Sequence, residues 1–463
     1  MTNESIHVGP AQKKKLIFLV ALILTIAVMN GTMFNVAIPD IQSYFGIPSS
    51  QVSWVLTSYI MVYAIGALMY GKLADFYSIK ALLTFGIILF AAGATLGLFS
   101  QSFAMLLVAR VLQAAGGATI PALGFVIPAR FFPEDKGRVF GLISSTVAFA
   151  SGVGPIVGGL LGGWLSWRYL FLFSILSLLA LPFLRKWLPD EEKRSGFIDY
   201  LGAALFGAAI AGILLFVTTL QWIFLLMFIV FMAVFAVRTA KADDPFIRPS
   251  LLKNKYYTVT ILTSFLGVCS MFGLLFIIPL MTRELYELST TQIGLVIFPG
   301  AILAGFLGRT GGDLADRHGP KVVVIAALVF IAFGTMLLSG FAGVSAVAVS
   351  VVLIIAYIGF PLIQSSTANI LSSVLEENET GVGIGMFNLM NFMAGAFSSA
   401  IFGAVLEIQG VTTSLNPFAS GGNSAIYSNV YLALTLISLF ALAMFTYTFR
   451  AFRVAPRSEK NPE

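Results

Sequence analysis

Cysteine, histidine and charge are what this chain has least of. Among 463 residues there is one cysteine, Cys269, and there are two histidines, His7 and His318. A lone thiol excludes an intramolecular disulfide and any multi-cysteine metal site. Two imidazoles, one near the start of the chain and one in a predicted loop, leave little for histidine acid-base chemistry. Charged residues are 10% of the total, against about 25% in soluble domains. What fills their place is apolar: 58% of residues are hydrophobic and the mean hydropathy is +0.94. This is the composition of an integral membrane protein. A helical span takes about 20 apolar residues, so fourteen use roughly 300 and leave only short loops and tails, with no room for a sizeable soluble domain. The net charge of +6 therefore reports orientation, not nucleic-acid binding.

Apolar runs bounded by charges or turn residues predict helices near 16–39, 52–71, 81–100, 103–128, 139–164, 168–185, 198–219, 221–238, 258–281, 291–310, 321–342, 345–371, 383–406 and 428–449. The expected fold is all-α and integral to the membrane. Its 14 transmembrane helices form two pseudo-symmetric six-helix bundles, 16–185 and 257–449, joined by a linker and inserted helix pair at 186–256 and flanked by cytoplasmic tails at 1–15 and 450–463. Basic residues test this order independently, because cytoplasmic loops collect Lys and Arg. With both termini inside, 24 of the 27 fall on inner segments; Arg168 and Arg283 lie outside and Arg110 lies within a span. One missed or invented helix would invert every later loop. The first span is too long for a signal h-region, and Asn30 to Asp40 offers no small-residue cleavage site, so it reads as retained.

Two inner loops echo each other, Gly71-Lys72-Leu73-Ala74-Asp75-Phe76-Tyr77-Ser78-Ile79-Lys80 and Gly312-Asp313-Leu314-Ala315-Asp316-Arg317-His318-Gly319-Pro320-Lys321. Each follows the second helix of a six-helix set. A bare helix stop and tight turn would account for the Gly and Asp alone, but not for the agreement in spacing, membrane side and helix index. Parallel repeats of this kind belong to transporters whose halves rock about a midplane site.

These loops and four further motifs resemble the major facilitator superfamily, specifically its 14-helix drug:proton antiporter branch, over essentially the whole chain. Gly71 to Lys80 is similar to the superfamily's helix 2/3 loop motif G-x-L-a-D-r-x-G-r-k, with Phe76 and Ser78 in place of Arg and Gly. The resemblance implies that Asp75 caps an inner gate at a helix N-terminus, with Lys80 substituting for the missing Arg and with Asp316 and Arg317 in the second copy. Arg110-Val-Leu-Gln113-Ala-Ala-Gly116-Gly117 resembles R-x-x-Q-G-x-G of the fourth helix. The fifth span, with Gly154, Pro155, Gly158 and Gly159, is similar to the antiporter motif G-x-x-x-G-P-x-x-G-G, which in the family accompanies export. Glycines four apart allow backbone contact between helices, and Pro155 removes one hydrogen bond, so the motif makes a tight, pliable seam. Asn35-Val-Ala-Ile-Pro39-Asp40-Ile41 and Asp244-Pro245-Phe246-Ile247 also resemble branch signatures, and the likeness is nearest to Gram-positive tetracycline and multidrug efflux transporters.

A proton antiporter needs a titratable group reachable from both sides. In the branch this is an acid in the first helix, and in the tetracycline exporters a second in the thirteenth. This chain reads Asn30-Gly31-Thr32 and Ala394-Gly395-Ala396 at those places, and none of its 21 acids falls at the midplane. Three explanations are open: coupling through peripheral acids (Asp40 at the outer mouth, Asp75 or Asp316 at the inner gate), a neutral or anionic substrate that needs no buried acid, or transport without protons. Arg110 sits about eight residues into its span and is expected to line the pathway rather than snorkel to the outer interface. A fixed cation there disfavours cationic drugs.

Polar residues inside spans mark the rest of the expected pathway: Asn30, Asn35, Tyr59, Tyr63, Gln113, Gln364, Asn369, Asn388 and Asn391. Tyr59 with Tyr63, and Asn388 with Asn391, share helix faces by spacing. The charged stretch Pro189 to Arg194 reads as a solvated linker and Gln409 to Asn429 as a flexible outer loop. The expectation is thus a monomeric, multi-pass transporter of a bacterial plasma membrane. It exports amphiphilic drugs, tetracycline-like or multidrug, by alternating access in exchange for protons, with antibiotic resistance as the consequence. It needs no cofactor or metal beyond the proton gradient, and its partners are the substrate, protons and the bilayer, not nucleic acid. The rival within transport is a lipid or fatty-acid exporter or flippase that recognises an acidic head group through Arg110. A membrane-embedded enzyme is disfavoured by the lack of a nucleophile with a base.

Overall fold

The computed structural model describes residues 10–74, 76–131, 136–189, 191, 199–242, 245–247, 249–375, 380–419 and 421–450. Among these the regular structure is helical throughout, in the predicted order: α1 Pro10–Phe45, α2 Ser49–Leu73, α3 Ile79–Leu98, α4 103–131, α5 Lys136–Trp164, α6 Trp167–Trp187, α7 Tyr200–Thr219, α8 Trp222–Lys241, α9 Lys255–Tyr286, α10 Thr290–His318, α11 Pro320–Phe341, α12 Ala346–Val374, α13 Thr380–Val405 and α14 Ala425–Thr448. Thirteen are long and apolar enough to cross a bilayer, and α5 carries a shorter apolar stretch, Phe149–Trp164. Several overrun the apolar runs that predicted them. With 36 residues α1 is about 54 Å long, whereas the hydrocarbon is about 30 Å thick. Hydropathy marks the part lipid covers; the hydrogen-bonded helix continues past it into water.

Short polar residues set where helices begin. Ser78, Ser102, Asn254, Ser289 and Ser345 each accept a backbone N–H in the first turn of α3, α4, α9, α10 and α12, and Ser289 completes a capping box with Gln292. At the end of α10, Gly319 takes φ +83, a left-handed backbone that a side chain resists, and Pro320 opens α11.

Equivalent helices pack alike in the two sets of six. The pairs α1–α5, α3–α4 and α3–α6 of the first recur as α9–α13, α11–α12 and α11–α14 of the second. The halves meet along α5–α10 and α2–α13. Since α10 is the counterpart of α2, and α13 of α5, these are one contact used twice, which is the pseudo-symmetry the duplicated loops predict. The inserted pair joins neither half. Instead α7 lies over the α2–α13 seam: Trp54 Nε1 donates to Thr218 at 3.2 Å, and Phe206 and Ile210 cluster with Ala64, Leu389 and Met393. Its partner α8 leans on α7 and leaves Trp222, Ile223 and Leu226 exposed.

Asp199 ties the start of α7 to the end of α8. Its fully buried carboxylate accepts from Gly202 N at 2.8 Å, Arg238 Nε at 3.2 Å and Phe246 N at 3.3 Å. Burial pushes this carboxyl up, but the three hydrogen bonds outweigh it and hold it below the ordinary carboxylate range. With the folded value depressed, the contribution is complete at neutral pH and is lost only as pH falls below about 4. Asp199→Ala is expected to cost about 1–2 kcal/mol at pH 7, the usual cost of a lost N-cap, read as a lower unfolding temperature of the purified protein. The deficit should vanish in strong acid.

Candidate functional site

Arg110 is the one charged side chain that the described structure encloses completely within a span. It lies on the buried face of α4 with Leu106, Gln113 and Gly117, spacing that turns one stripe of the helix into its own half. Close approach of α3 fixes that rotation. A Cβ at Gly93 would come within 2.4 Å of Gln113 N, and one at Gly116 within 2.2 Å of Phe90 N, so the glycine of the arginine motif is where two backbones touch. Beyond it α4 breaks at Ala118.

The guanidinium lies between two rings, 4.1 Å from the centroid of Phe34 and 3.9 Å from that of Tyr59. Its Nε donates to the Val55 carbonyl at 3.1 Å, and Nη1 donates to Asn30 Oδ1 at 3.2 Å and Gln113 Oε1 at 2.7 Å. Both amides donate onward to Ser174 Oγ of α6, at 2.7 and 2.9 Å. A charge at the centre of a span costs about 3 kcal/mol on insertion scales. Hydrogen bonds from charged groups return about 1.5–3 kcal/mol each and a desolvated cation–π contact about 2. The shell therefore stabilises the cation without water.

This corrects one expectation. Arg110 does not line an open crevice between the halves; α1, α2, α4 and α6 of the first half enclose it. Nor does it snorkel. Its shell is nonetheless incomplete: Arg110 Nη2 and the Tyr59 hydroxyl are both buried and have no hydrogen-bond partner. From Tyr59 an aromatic series leads across the α2–α13 seam, with Tyr59 on Tyr63 at 5.6 Å and Tyr63 on Phe392 at 5.3 Å.

The second half holds a separate polar cluster. Ser264 Oγ of α9 donates to Asn391 Oδ1 at 2.9 Å, and Asn391 Nδ2 of α13 donates to Gln364 Oε1 of α12, also at 2.9 Å. Asn388, one turn before Asn391 on α13, is exposed, whereas Asn391 is buried. Asn35 is buried and bonds the Thr32 carbonyl of its own helix at 3.2 Å. Asn369, half-buried, lies further along α12.

At the end of the molecule where the outer loops were expected, the halves are latched. Asp40 of α1 accepts from Arg283 Nη2 of α9 at 2.6 Å and from the Thr290 hydroxyl of α10, while Arg283 also donates to Thr290 at 2.8 Å. Glu407 accepts from Ser50 N across the α2–α13 seam at 2.5 Å. Beside the latch is a cavity of about 370 Å³ lined by Gln42, Ser49, Arg283, Glu284 and Tyr427 among others. A partly exposed ion pair contributes about 0–1 kcal/mol, so the latch is reversible. Tight backbone contact does the rest. Gly154 and Gly158 press on Thr32 and Met33 of α1, while Gly159 and Gly163 press on Thr290 and Thr291 of α10, so the antiporter motif meets one helix of each half. Pro155 lies inside α5, with its carbonyl 2.8 Å from where a Cβ on Gly294 would sit.

At the inner loops, Asp75 lies outside the described residues. Lys80 opens α3, and Asp316 and Arg317 lie in the last turn of α10, with Arg317 exposed. Of the charged linker at 189–194, only Pro189 and Glu191 lie among the described residues, and the expected outer loop differs from expectation. Glu191 of the charged linker accepts from Ile79 N at 2.8 Å and so caps α3, a role the local sequence hides because the partner is 112 positions away. The outer loop is tied down: Asn416 Nδ2 donates to Ser339 at 3.0 Å, Ser414 pairs with Ser428 at 2.9 Å, and Leu415 N donates to Asn429 at 2.7 Å. Its Asn and Ser content builds hydrogen bonds rather than freedom.

The family model described as Major Facilitator Superfamily matches the chain twice, over residues 20–199 and 196–399. The chain belongs to this superfamily. The superfamily consists of transporters, which answers the rival enzyme reading. Among relatives, the chain is 28% identical to the riboflavin transporter RibZ of Clostridioides difficile, covering 69% of this chain and 72% of that one. It is 25% identical to the lincomycin resistance protein LmrB of Listeria monocytogenes, covering 81% and 83%. In fold it is similar to a bacterial homologue of the human lysosomal transporter Spinster, solved inward-facing and unoccupied, with a TM-score of 0.67 at 16% identity over 96% of this chain and 98% of that one.

Proposed function

We propose that this superfamily member is a secondary active exporter of amphiphilic drugs in a bacterial plasma membrane, with both termini cytoplasmic, working by alternating access in exchange for protons. The observation that carries this reading is the glycine–proline seam of α5, held at backbone contact with α1 and α10 beside a weak outer latch. A weak latch over a tight, pliable seam suits halves that part and close repeatedly. The likeness to LmrB supports drugs as cargo, and the likeness to RibZ supports a ring-bearing solute. The unpaired Nη2 of Arg110 favours the second reading, an exporter of a lipid or fatty acid with an acidic head group.

Transport into inside-out vesicles with an imposed pH gradient tests direction and coupling together. Tetracycline and lincomycin are expected to accumulate when the lumen is acid and to leak out when an ionophore collapses the gradient. Accumulation that ignores the gradient would remove proton exchange, and no accumulation of either drug would remove the drug reading.

A further inference from the structure

Among the described residues Arg110 has no carboxylate partner. Its shell consists of two neutral amides, a backbone carbonyl and two rings. Its partner on the first helix is the neutral amide of Asn30, which accepts a hydrogen bond without supplying a charge. Buried charges in folded proteins are normally paired, and a cation in low dielectric left to amides and rings remains a net positive site. The unused hydrogen-bonding capacity is local to it: Nη2 is unpartnered, and so is the hydroxyl of Tyr59, the residue stacked on the guanidinium. On a guanidinium Nε and Nη2 form one edge, the edge that takes a carboxylate. Here that edge faces α2, where the Val55 carbonyl takes Nε alone.

We infer that the missing negative charge is supplied by the cargo, and that this transporter selects amphiphiles carrying a single anionic group, a carboxylate in the simplest case. The carboxylate would accept from Arg110 Nη2 and the Tyr59 hydroxyl, and its apolar body would lie along the series Tyr59, Tyr63 and Phe392 toward the seam with α13. Asn30 becomes the residue that sets charge preference: as an amide it orients Arg110 without neutralising it, so the positive charge is left for an anion to balance. The inference rests on the transport reading above and narrows its substrate class. A cationic drug would face an unpaired guanidinium in low dielectric.

The test is equilibrium binding to the purified full-length protein in nanodiscs at pH 7.5. The probes are 11-(dansylamino)undecanoic acid, its primary amide, and the analogue ending in trimethylammonium, which share one fluorophore and one chain. The wild type is expected to bind the acid roughly tenfold or more tightly than the amide, and the ammonium weakest, as for a desolvated charge pair against a neutral one. Asn30→Asp, which supplies the counter-charge internally, is expected to abolish the preference for the acid over the amide. Arg110→Gln should level acid and amide; if it does not fold, Asn30→Asp decides alone. Equal binding of acid and amide by the wild type, binding of none of the three, or an acid preference that survives Asn30→Asp would each overturn the inference. Because no gradient is involved, charge selectivity without vesicle transport would remove the exporter reading only, whereas drug transport without charge selectivity would remove this inference only.

Discussion

Replacing Arg110 with methionine is expected to stop transport while leaving a folded, inserted protein. The two halves of that expectation have different physical origins. Methionine keeps the length and apolar stem of the side chain and removes the charge, so the cost of burying an ion disappears. In return the carbonyl oxygens of Asn30 and Gln113 each lose a donor, at about 1–3 kcal/mol apiece. Exchanging a buried charge for an apolar residue of similar volume is commonly near neutral for stability. Both amides also keep their bonds to Ser174, which hold α1, α4 and α6 together without the guanidinium. Function has no such compensation. Truncating one partner of a buried, hydrogen-bonded charge contact costs about 2–5 kcal/mol, which corresponds to a roughly 30-fold or larger loss. The measurement is initial uptake rate in inside-out vesicles, normalised to protein in the membrane, beside the unfolding temperature in detergent. A variant that transports at the wild-type rate would show that Arg110 only braces the first half. One absent from the membrane would show that its bonds are needed for folding, and Arg110→Lys would then be used to recover a cation at the same site.

Much of the architecture was legible because a bilayer imposes simple rules. Lengths of apolar runs, and the side on which Lys and Arg collect, fix the count and order of helices without any knowledge of packing. The duplicated loops then gave the two halves, and the equivalence of the α5–α10 and α2–α13 contacts is what such duplication requires. Site residues were only partly legible. That Arg110 needed polar company followed from its depth in a span. That the company would be Asn30, Gln113, Ser174 and two ring faces depends on the rotation of four helices, which periodicity does not determine. Asp40 and Arg283 sit 243 positions apart, and their pairing belongs to the assembled outer face rather than to either segment. Asp199 carried a local signal, a short acid directly before an apolar run, that reads as a helix cap. Glu191 and the anchored outer loop carried none, because their partners are remote in sequence.

Gly159→Leu is expected to hold the outer side open and to abolish cycling. Gly159 and Gly294 face each other where α5 of one half crosses α10 of the other. A Cβ on Gly159 would lie 3.0 Å from Thr290 O and 3.3 Å from Gly294 Cα, already closer than nearly all real Cβ contacts, and leucine adds three more carbons behind it. The seam cannot absorb them, since the opposing atoms are backbone, so the overpacking cost of about 1–3 kcal/mol or more falls on the closed arrangement alone. The forces that hold the outer ends shut cannot offset this. The Asp40–Arg283 pair is partly exposed on both sides and contributes about 1 kcal/mol at most. Asp40→Asn, which removes only that pair, should therefore shift the balance about fivefold at most, whereas Gly159→Leu, at the upper end of its range, should shift it about a hundredfold. The chain's single cysteine makes the readout simple. In a Cys269→Ser background, a cysteine placed at Gln42 in the outer cavity reports opening through its rate of modification by a membrane-impermeant maleimide. The expected order is wild type slowest, Asp40→Asn intermediate and Gly159→Leu fastest. Equal rates in wild type and Gly159→Leu would mean that the α5–α10 seam stays closed throughout the cycle. The motif glycines would then serve packing rather than rocking, and the alternation would have to be sought at α2–α13, where a Cβ on Gly403 would meet Ser49 O and Ser53 Cβ at 2.9 Å.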